Sequence, residues 1–193
     1  MQTDIDTVIM GGTFNPVHIG HLHLAEEVRH TFNPKRIFLV PAFISAHKQG
    51  DPVISARHRL EMLRIACSES VFEIETCEIE RKGVSYSIDT LRYIKEKYGL
   101  KTKPGLIIGD DLVKGFKDWK NASAVAEEAN LILGCRQSDD EVFAYRHLKI
   151  DNLIIDISSS EIRKRIAEGR AFRYLIPAGV YDYIVRNKLY GEG

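Results

Sequence analysis

The sequence predicts an α/β protein built on a single doubly wound parallel sheet with helices on both faces. Three observations carry this expectation. Strand-length apolar runs alternate along the chain with helix-length segments. Most of the runs are continuously apolar, as in strands covered on both faces. No internal repeat, low-complexity segment or linker breaks the series, so residues 1–193 read as one domain.

Thr7-Val8-Ile9-Met10 is the first strand, followed by a loop through His21 and a helix over Leu22–Arg29. Arg36–Val40 is the second strand, and Pro41–Ile54 a loop. Ser55 caps a helix through Cys67, with Leu60, Leu63, Ile65 and Ala66 as its apolar positions. Phe72–Glu75 alternates as a strand, and Ser87–Tyr98 is a helix stopped by Gly99. Gly105–Ile108 and Asn130–Leu133 are buried strands, separated by helical stretches around Leu112–Phe116 and Asn121–Glu128. A strand-like run, Leu153–Asp156, leads into a helix over Glu161–Glu168, and a last helix runs from after Pro177 to near Asn187.

A chain of 193 residues, 44% hydrophobic, can bury a sizeable core. Its formal net charge of zero argues against a nucleic-acid surface, a polybasic membrane anchor or an acidic tail. Met1-Gln2-Thr3-Asp4 lacks a signal pattern, and no apolar run approaches membrane-spanning length. Cys67, Cys77 and Cys135 are dispersed, which suits buried thiols in a reducing cytoplasm better than a disulfide frame or zinc site.

The most informative stretch is Gly11-Gly12-Thr13-Phe14-Asn15-Pro16-Val17-His18-Ile19-Gly20-His21, between the first strand and its helix. Free N–H groups and the positive end of a helix dipole collect phosphate at such a place. Gly11, Gly12 and Gly20 would let the backbone approach a ligand closely. No Gly-Lys-Ser/Thr and no G-x-G-x-x-G is present, so the two commonest phosphate loops are excluded. His18 and His21 could ligate metal or merely cap the helix; neither role explains the loop glycines behind a buried strand. In Rossmann-like sheets ligands bind beyond the carboxyl ends of strands, where strand order reverses. The loops after Met10, Val40, Ile108 and Ile157 all fall there, which points to one composite nucleotide site.

The first loop resembles the H-x-G-H signature of the nucleotidylyltransferase superfamily, and Ile157-Ser158-Ser159-Ser160-Glu161-Ile162-Arg163 resembles its I-S-S-T-x-I-R motif, with Ser160 where threonine is usual. Arg81–Leu91 is similar to the K-R-x-G-x-S-Y-T-x-D-T-L segment of bacterial nicotinate-mononucleotide adenylyltransferases. Ile107–Asp111 resembles their I-I-G-x-D, Trp119-Lys120 the end of F-x-x-W-K, His47-Lys48 that of P-P-H-K, and Tyr174–Pro177 their Y-L-I-P. Cys135-Arg136 resembles their basic turn, without the Pro-Gly that often follows. Ser87 stands for threonine, and Ser45-Ala46 replaces a Pro-Pro pair.

The resemblance implies adenylyl transfer from ATP, with its Mg²⁺, to nicotinate mononucleotide, giving deamido-NAD and pyrophosphate in NAD biosynthesis. It implies that His21 stabilises charge on the α-phosphate, with His18 and Arg163 on the triphosphate. Gly12, Thr13, Phe14, Ser159 and Ser160 would complete the phosphate site, and Gly109 and Asp111 would hold the adenylate ribose. For the acceptor, Trp119 would stack on the pyridine, Tyr86 and Ser87 would donate to its carboxylate, and Lys48 and Arg136 would meet its phosphate. No carboxylate is expected to face the ring substituent, and Arg81 and Lys82 read as solvated surface. The alternatives are adenylation of nicotinamide mononucleotide or phosphopantetheine, or a non-catalytic nucleotide-binding module.

Overall fold

Continuous apolar strands need cover on both faces, and the fold supplies it. The computed structural model describes residues 4–46, 53–134 and 143–191. In chain order the elements begin with β1 (Thr7–Gly12), α1 (Ile19–Phe32), β2 (Arg36–Pro41), β3 (Ile44–Ser45), α2 (Ala56–Cys67), β4 (Glu73–Ile74) and α3 (Cys77–Arg81). They continue with β5 (Val84–Ser85), α4 (Ser87–Lys97), β6 (Gly105–Gly109), α5 (Ala122–Glu128), β7 (Asn130–Gly134), β8 (His147–Lys149), α6 (Ser159–Ala167) and α7 (Ala178–Arg186). Six strands form one parallel sheet in the order β4-β2-β1-β6-β7-β8, while β3 and β5 pair apart from it.

Val8 and Met10 of β1, Leu39 of β2 and Ile132 of β7 enter one core, with Leu24 of α1, Met62 of α2, Ile162 of α6 and Val180 of α7. Ile9, Phe38, Ile108 and Leu131 enter the other, with Leu91 of α4 and Val125 of α5. The sheet is thus doubly wound. Its strand order reverses between β1 and β6, which places the crevice at their carboxyl ends.

The structure revises several element assignments. The last strand is His147–Lys149, whereas 153–156 lies outside the sheet, with Leu153 69% exposed. An edge strand with one wet face alternates polar and apolar residues, so its signal is weaker than that of an apolar run. The stretch around 112–116 holds separate 3-10 turns at Asp110–Leu112 and Phe116–Asp118. β3, α3 and β5 occupy segments read as loop or left unassigned, each too short for a periodic signal. On α2 the Ser55 hydroxyl accepts the His58 N–H at 3.4 Å as expected, but the buried positions are Arg59, Met62, Leu63 and Cys67.

At the β4 side of the sheet, Glu75 is buried and its carboxylate accepts from Lys97 Nζ (2.8 Å), the Tyr98 hydroxyl (2.6 Å) and the Cys77 N–H (3.0 Å). Burial alone would raise its pKa; the donors from Lys97, Tyr98 and Cys77 outweigh it and hold Glu75 below its ordinary 4.5. A depressed folded-state pKa contributes stability that is full above the unfolded value and is lost as pH falls through the folded one. The destabilisation of Glu75→Gln is therefore expected to be larger at pH 7 than at about pH 3, as denaturant melts at both values would read. An equal loss at both would refute the carboxylate's role.

Candidate active site

His18 caps α1 in an extended conformation, so the helix begins three residues before Leu22 and His21 falls in its first turn. The His18 N–H donates to His21 Nδ1 at 3.3 Å. A backbone N–H can only donate, so Nδ1 carries the lone pair and the ring proton sits on Nε2. The ring packs on His18, centroids 3.6 Å apart, and edge-on to Phe14 at 5.0 Å. The result is an oriented imidazole presenting one N–H donor.

The serine helix docks directly onto this loop. Ser159 Oγ donates to the Pro16 carbonyl at 2.8 Å, and Arg163 Nη1 to the Asn15 carbonyl at 2.9 Å, while its Nη2 reaches Ser160 Oγ at 3.2 Å. The Ser158 hydroxyl takes the Glu161 N–H at 3.1 Å and caps α6. The N–H groups of Ser159 and Ser160 fall in the first turn, where a helix supplies no internal acceptor. Gly20 makes the docking possible: a Cβ there would lie 2.8 Å from Ile157 Cγ2 and 3.2 Å from the His18 ring. It serves packing between the two motifs, not the approach of a ligand as its sequence position suggested.

A cleft opens at the carboxyl ends of β1 and β6. It is lined by Gly12, Thr13, Phe14, His21, Gly109, Asp111, Ser159 and Arg163, and also by Ser87 and Trp119. Both halves of the expected site thus share one cavity. His18 is 1% exposed and does not line it, and Ser160 is exposed at its edge through Arg163. A side recess is lined by Ala46, Tyr86, Ser87, Trp119 and Lys120. There Lys120 Nζ lies 4.6 Å from the Tyr86 ring centroid and pairs with Asp89 at 2.9 Å. Trp119 leans on Phe116, centroids 4.8 Å apart. Lys48 and Arg136 lie outside the described residues.

Four residues in or beside the cleft escaped sequence reasoning. Glu78, turned inward by the short α3, lines the cleft and accepts from the Thr90 hydroxyl. The cavity is therefore not free of carboxylates, although Glu78 is absent from the recess wall. Arg81, expected to be purely solvated, reaches Thr90 Oγ1 at 3.3 Å. Asn15 lines the cleft and takes the Tyr190 hydroxyl at 2.9 Å, a pairing across 175 positions with no local signature. Arg59 is 1% exposed beneath the cleft loops; its one sequence signal is its place three and four residues before the buried Met62 and Leu63.

Among the described residues no helix is long and apolar enough to cross a membrane, and no group of three or more His, Cys, Asp or Glu side chains is placed to hold a metal ion. Residues 9–165 match the cytidylyltransferase-like family. The chain is 41% identical over 184 residues to a probable nicotinate-nucleotide adenylyltransferase of Borreliella burgdorferi, covering 94% of this chain and 95% of that one. It is 36% identical over 203 residues to a protein of the same name from Thermoanaerobacter sp., covering 98% and 96%. Its fold superposes on a Plasmodium falciparum nicotinic acid mononucleotide adenylyltransferase complexed with NaAD, with a TM-score of 0.81 at 20% identity over 96% of this chain and 97% of that one. Taken with the docked histidine loop and serine helix, these matches show that the chain belongs to the nicotinate-nucleotide adenylyltransferase family, within the cytidylyltransferase-like proteins.

Proposed function

We propose that this enzyme transfers the adenylyl group of ATP to the 5′-phosphate of nicotinate mononucleotide, releasing pyrophosphate and forming deamido-NAD for NAD biosynthesis. The observation that carries the reading is the single cleft that holds His21, Ser159 and Arg163 together with Ser87 and Trp119. The nucleophile is a phosphate that is already anionic, so the reaction needs positioning and charge neutralisation rather than a base. His21 Nε2–H donates to the α-phosphate as negative charge grows there. Arg163 supports the triphosphate, His18, buried behind the cleft wall, acts only by orienting His21, and the Ser159 and Ser160 N–H groups receive the leaving pyrophosphate. Gly12, Thr13 and Phe14 form the wall along the phosphates; Gly109 and Asp111 hold the adenylate ribose.

On the acceptor side, Trp119 stacks on the pyridine, and Tyr86 and Ser87 bind its carboxylate at the start of α4. Lys48 and Arg136 complete this reading as contacts to the acceptor phosphate. Mg²⁺ carried with ATP would supply neutralisation of triphosphate charge when bound. We assign the whole chain to one nucleotidylyltransferase domain working in the cytoplasm. A reducing setting suits Cys67 and Cys77, which are buried and free; burial foremost pushes the Cys77 thiol up to about 12.

Formation of deamido-NAD and pyrophosphate from ATP with nicotinate mononucleotide, nicotinamide mononucleotide or phosphopantetheine as acceptor tests the reading directly. No product with the first would refute it. Arg163→Lys keeps the charge but loses the planar fork that spans Asn15 and the cleft. It is expected to raise KM for ATP by about tenfold, the scale of one charge-assisted hydrogen bond. A change confined to KM for the mononucleotide would remove Arg163 from the triphosphate side.

A further inference from the structure

A fully buried arginine ordinarily faces a carboxylate. Among the described residues, the hydrogen-bond partners of Arg59 are all main-chain carbonyls instead. Nη1 donates to Thr13 (2.8 Å) and Ala42 (2.6 Å), Nη2 to Phe43 (3.1 Å) and Nε to Ile54 (3.3 Å). Thr13 follows β1 on the phosphate side of the cleft; Ala42 and Phe43 follow β2 on the acceptor side. A guanidinium is planar and its donors diverge at fixed angles, so one side chain sets the spacing of all three segments. From Phe43 the chain of contacts continues, because its N–H donates at 3.0 Å to the hydroxyl of Ser85, two residues before Ser87 of the recess.

We propose that Arg59 is a positioning residue of the transfer reaction, joining the ATP wall and the acceptor wall into one unit so that filling one side strengthens binding at the other. The inference rests on the proposed reading of which ligand occupies each side. ATP on Gly12, Thr13 and Phe14 stills that loop. Through Arg59 the order passes to Ala42 and Phe43, and through Ser85 to the recess. The mononucleotide then meets a wall that has already lost its freedom, which is positive cooperativity without a change of fold. With carbonyl dipoles as its partners, the buried guanidinium also leaves the floor near Thr13 positive, where triphosphate charge accumulates.

Calorimetric titration of nicotinate mononucleotide, alone and with saturating α,β-methylene-ATP, tests the coupling. In the wild type the mononucleotide is expected to bind at least about fivefold tighter with the ATP analogue present. Arg59→Lys keeps a cation but cannot span the carbonyls, so the ratio should fall below about twofold and kcat should drop about tenfold. In Arg59→Ala, added methylguanidinium should restore both the ratio and kcat in part, which a merely collapsed core would not allow. The inference is overturned by a wild type without coupling, by Arg59→Lys with wild-type coupling, or by Arg59→Ala that ignores methylguanidinium. Loss of cooperative melting in Arg59→Lys also overturns it, since the residue would then belong to the fold alone. Deamido-NAD formation by the same wild-type preparation separates the two claims: no product refutes the reaction, whereas product with unaltered coupling in Arg59→Lys refutes only the role of Arg59.

Discussion

Replacing His21 with alanine lowers kcat by about two to three orders of magnitude while KM for ATP and for the mononucleotide moves little. That is the scale for removing one preorganised donor from a developing oxyanion. The KM values hold because the contact strengthens chiefly in the transition state. The ring has a second job, accepting the His18 N–H at Nδ1, so a cap effect must be separated from a chemical one. Asparagine supplies a side-chain oxygen near the Nδ1 position but nothing at Nε2. His21→Asn should therefore melt close to the wild type and lose as much kcat as His21→Ala. If asparagine restored the rate, His21 would be a cap and not a catalytic residue.

The second large effect is on acceptor choice. The enzyme is expected to prefer nicotinate mononucleotide over nicotinamide mononucleotide by about tenfold to a hundredfold in kcat/KM. A carboxylate only accepts hydrogen bonds, whereas an amide brings two N–H groups that need acceptors. The recess offers the Ser87 hydroxyl, the Lys120 ammonium and the start of α4, and among the described residues no carboxylate lines it. Asp89, the nearest acid on that helix, is occupied by Lys120 at 2.9 Å. Each amide hydrogen left without an acceptor costs about 1–3 kcal/mol. Glu78 lies on the larger cleft and is engaged by Thr90, so it is not positioned among the recess residues to take the amide. Competition kinetics with both mononucleotides decides the matter; equal use of the two would mean that an acceptor outside the recess wall takes the amide.

The central strands were legible because both their faces are buried, which leaves an unbroken apolar run. The histidine loop and the serine helix were legible because each combines a strand end, a helix start and phosphate-binding residue types within a few positions. What failed to show was whatever depends on partners far apart in the chain. Arg59 looks like an ordinary surface residue of an amphipathic helix until Thr13 and Ala42 are brought to it. Gly20 looks like a ligand-facing glycine until Ile157 arrives across it. Glu78 could not be placed because α3, Cys77–Arg81, is little more than one turn and has no period to read. The run at 153–156 misled for the opposite reason: hydrophobicity without a neighbouring strand is not a strand.

The two rims of the main sheet carry a consequence for behaviour in concentrated solution. β4 offers Glu73 and Ile74, with Glu73 clasped by Arg36; β8 offers three residues, ending in the exposed Lys149. A strand from another molecule laid along either rim would find two or three ladder positions and a charged side chain at each. Fibrillar assembly by strand addition needs longer, flatter, uncharged borders. Among the described residues, the two rims of the main sheet thus give strand addition only a short and charged template.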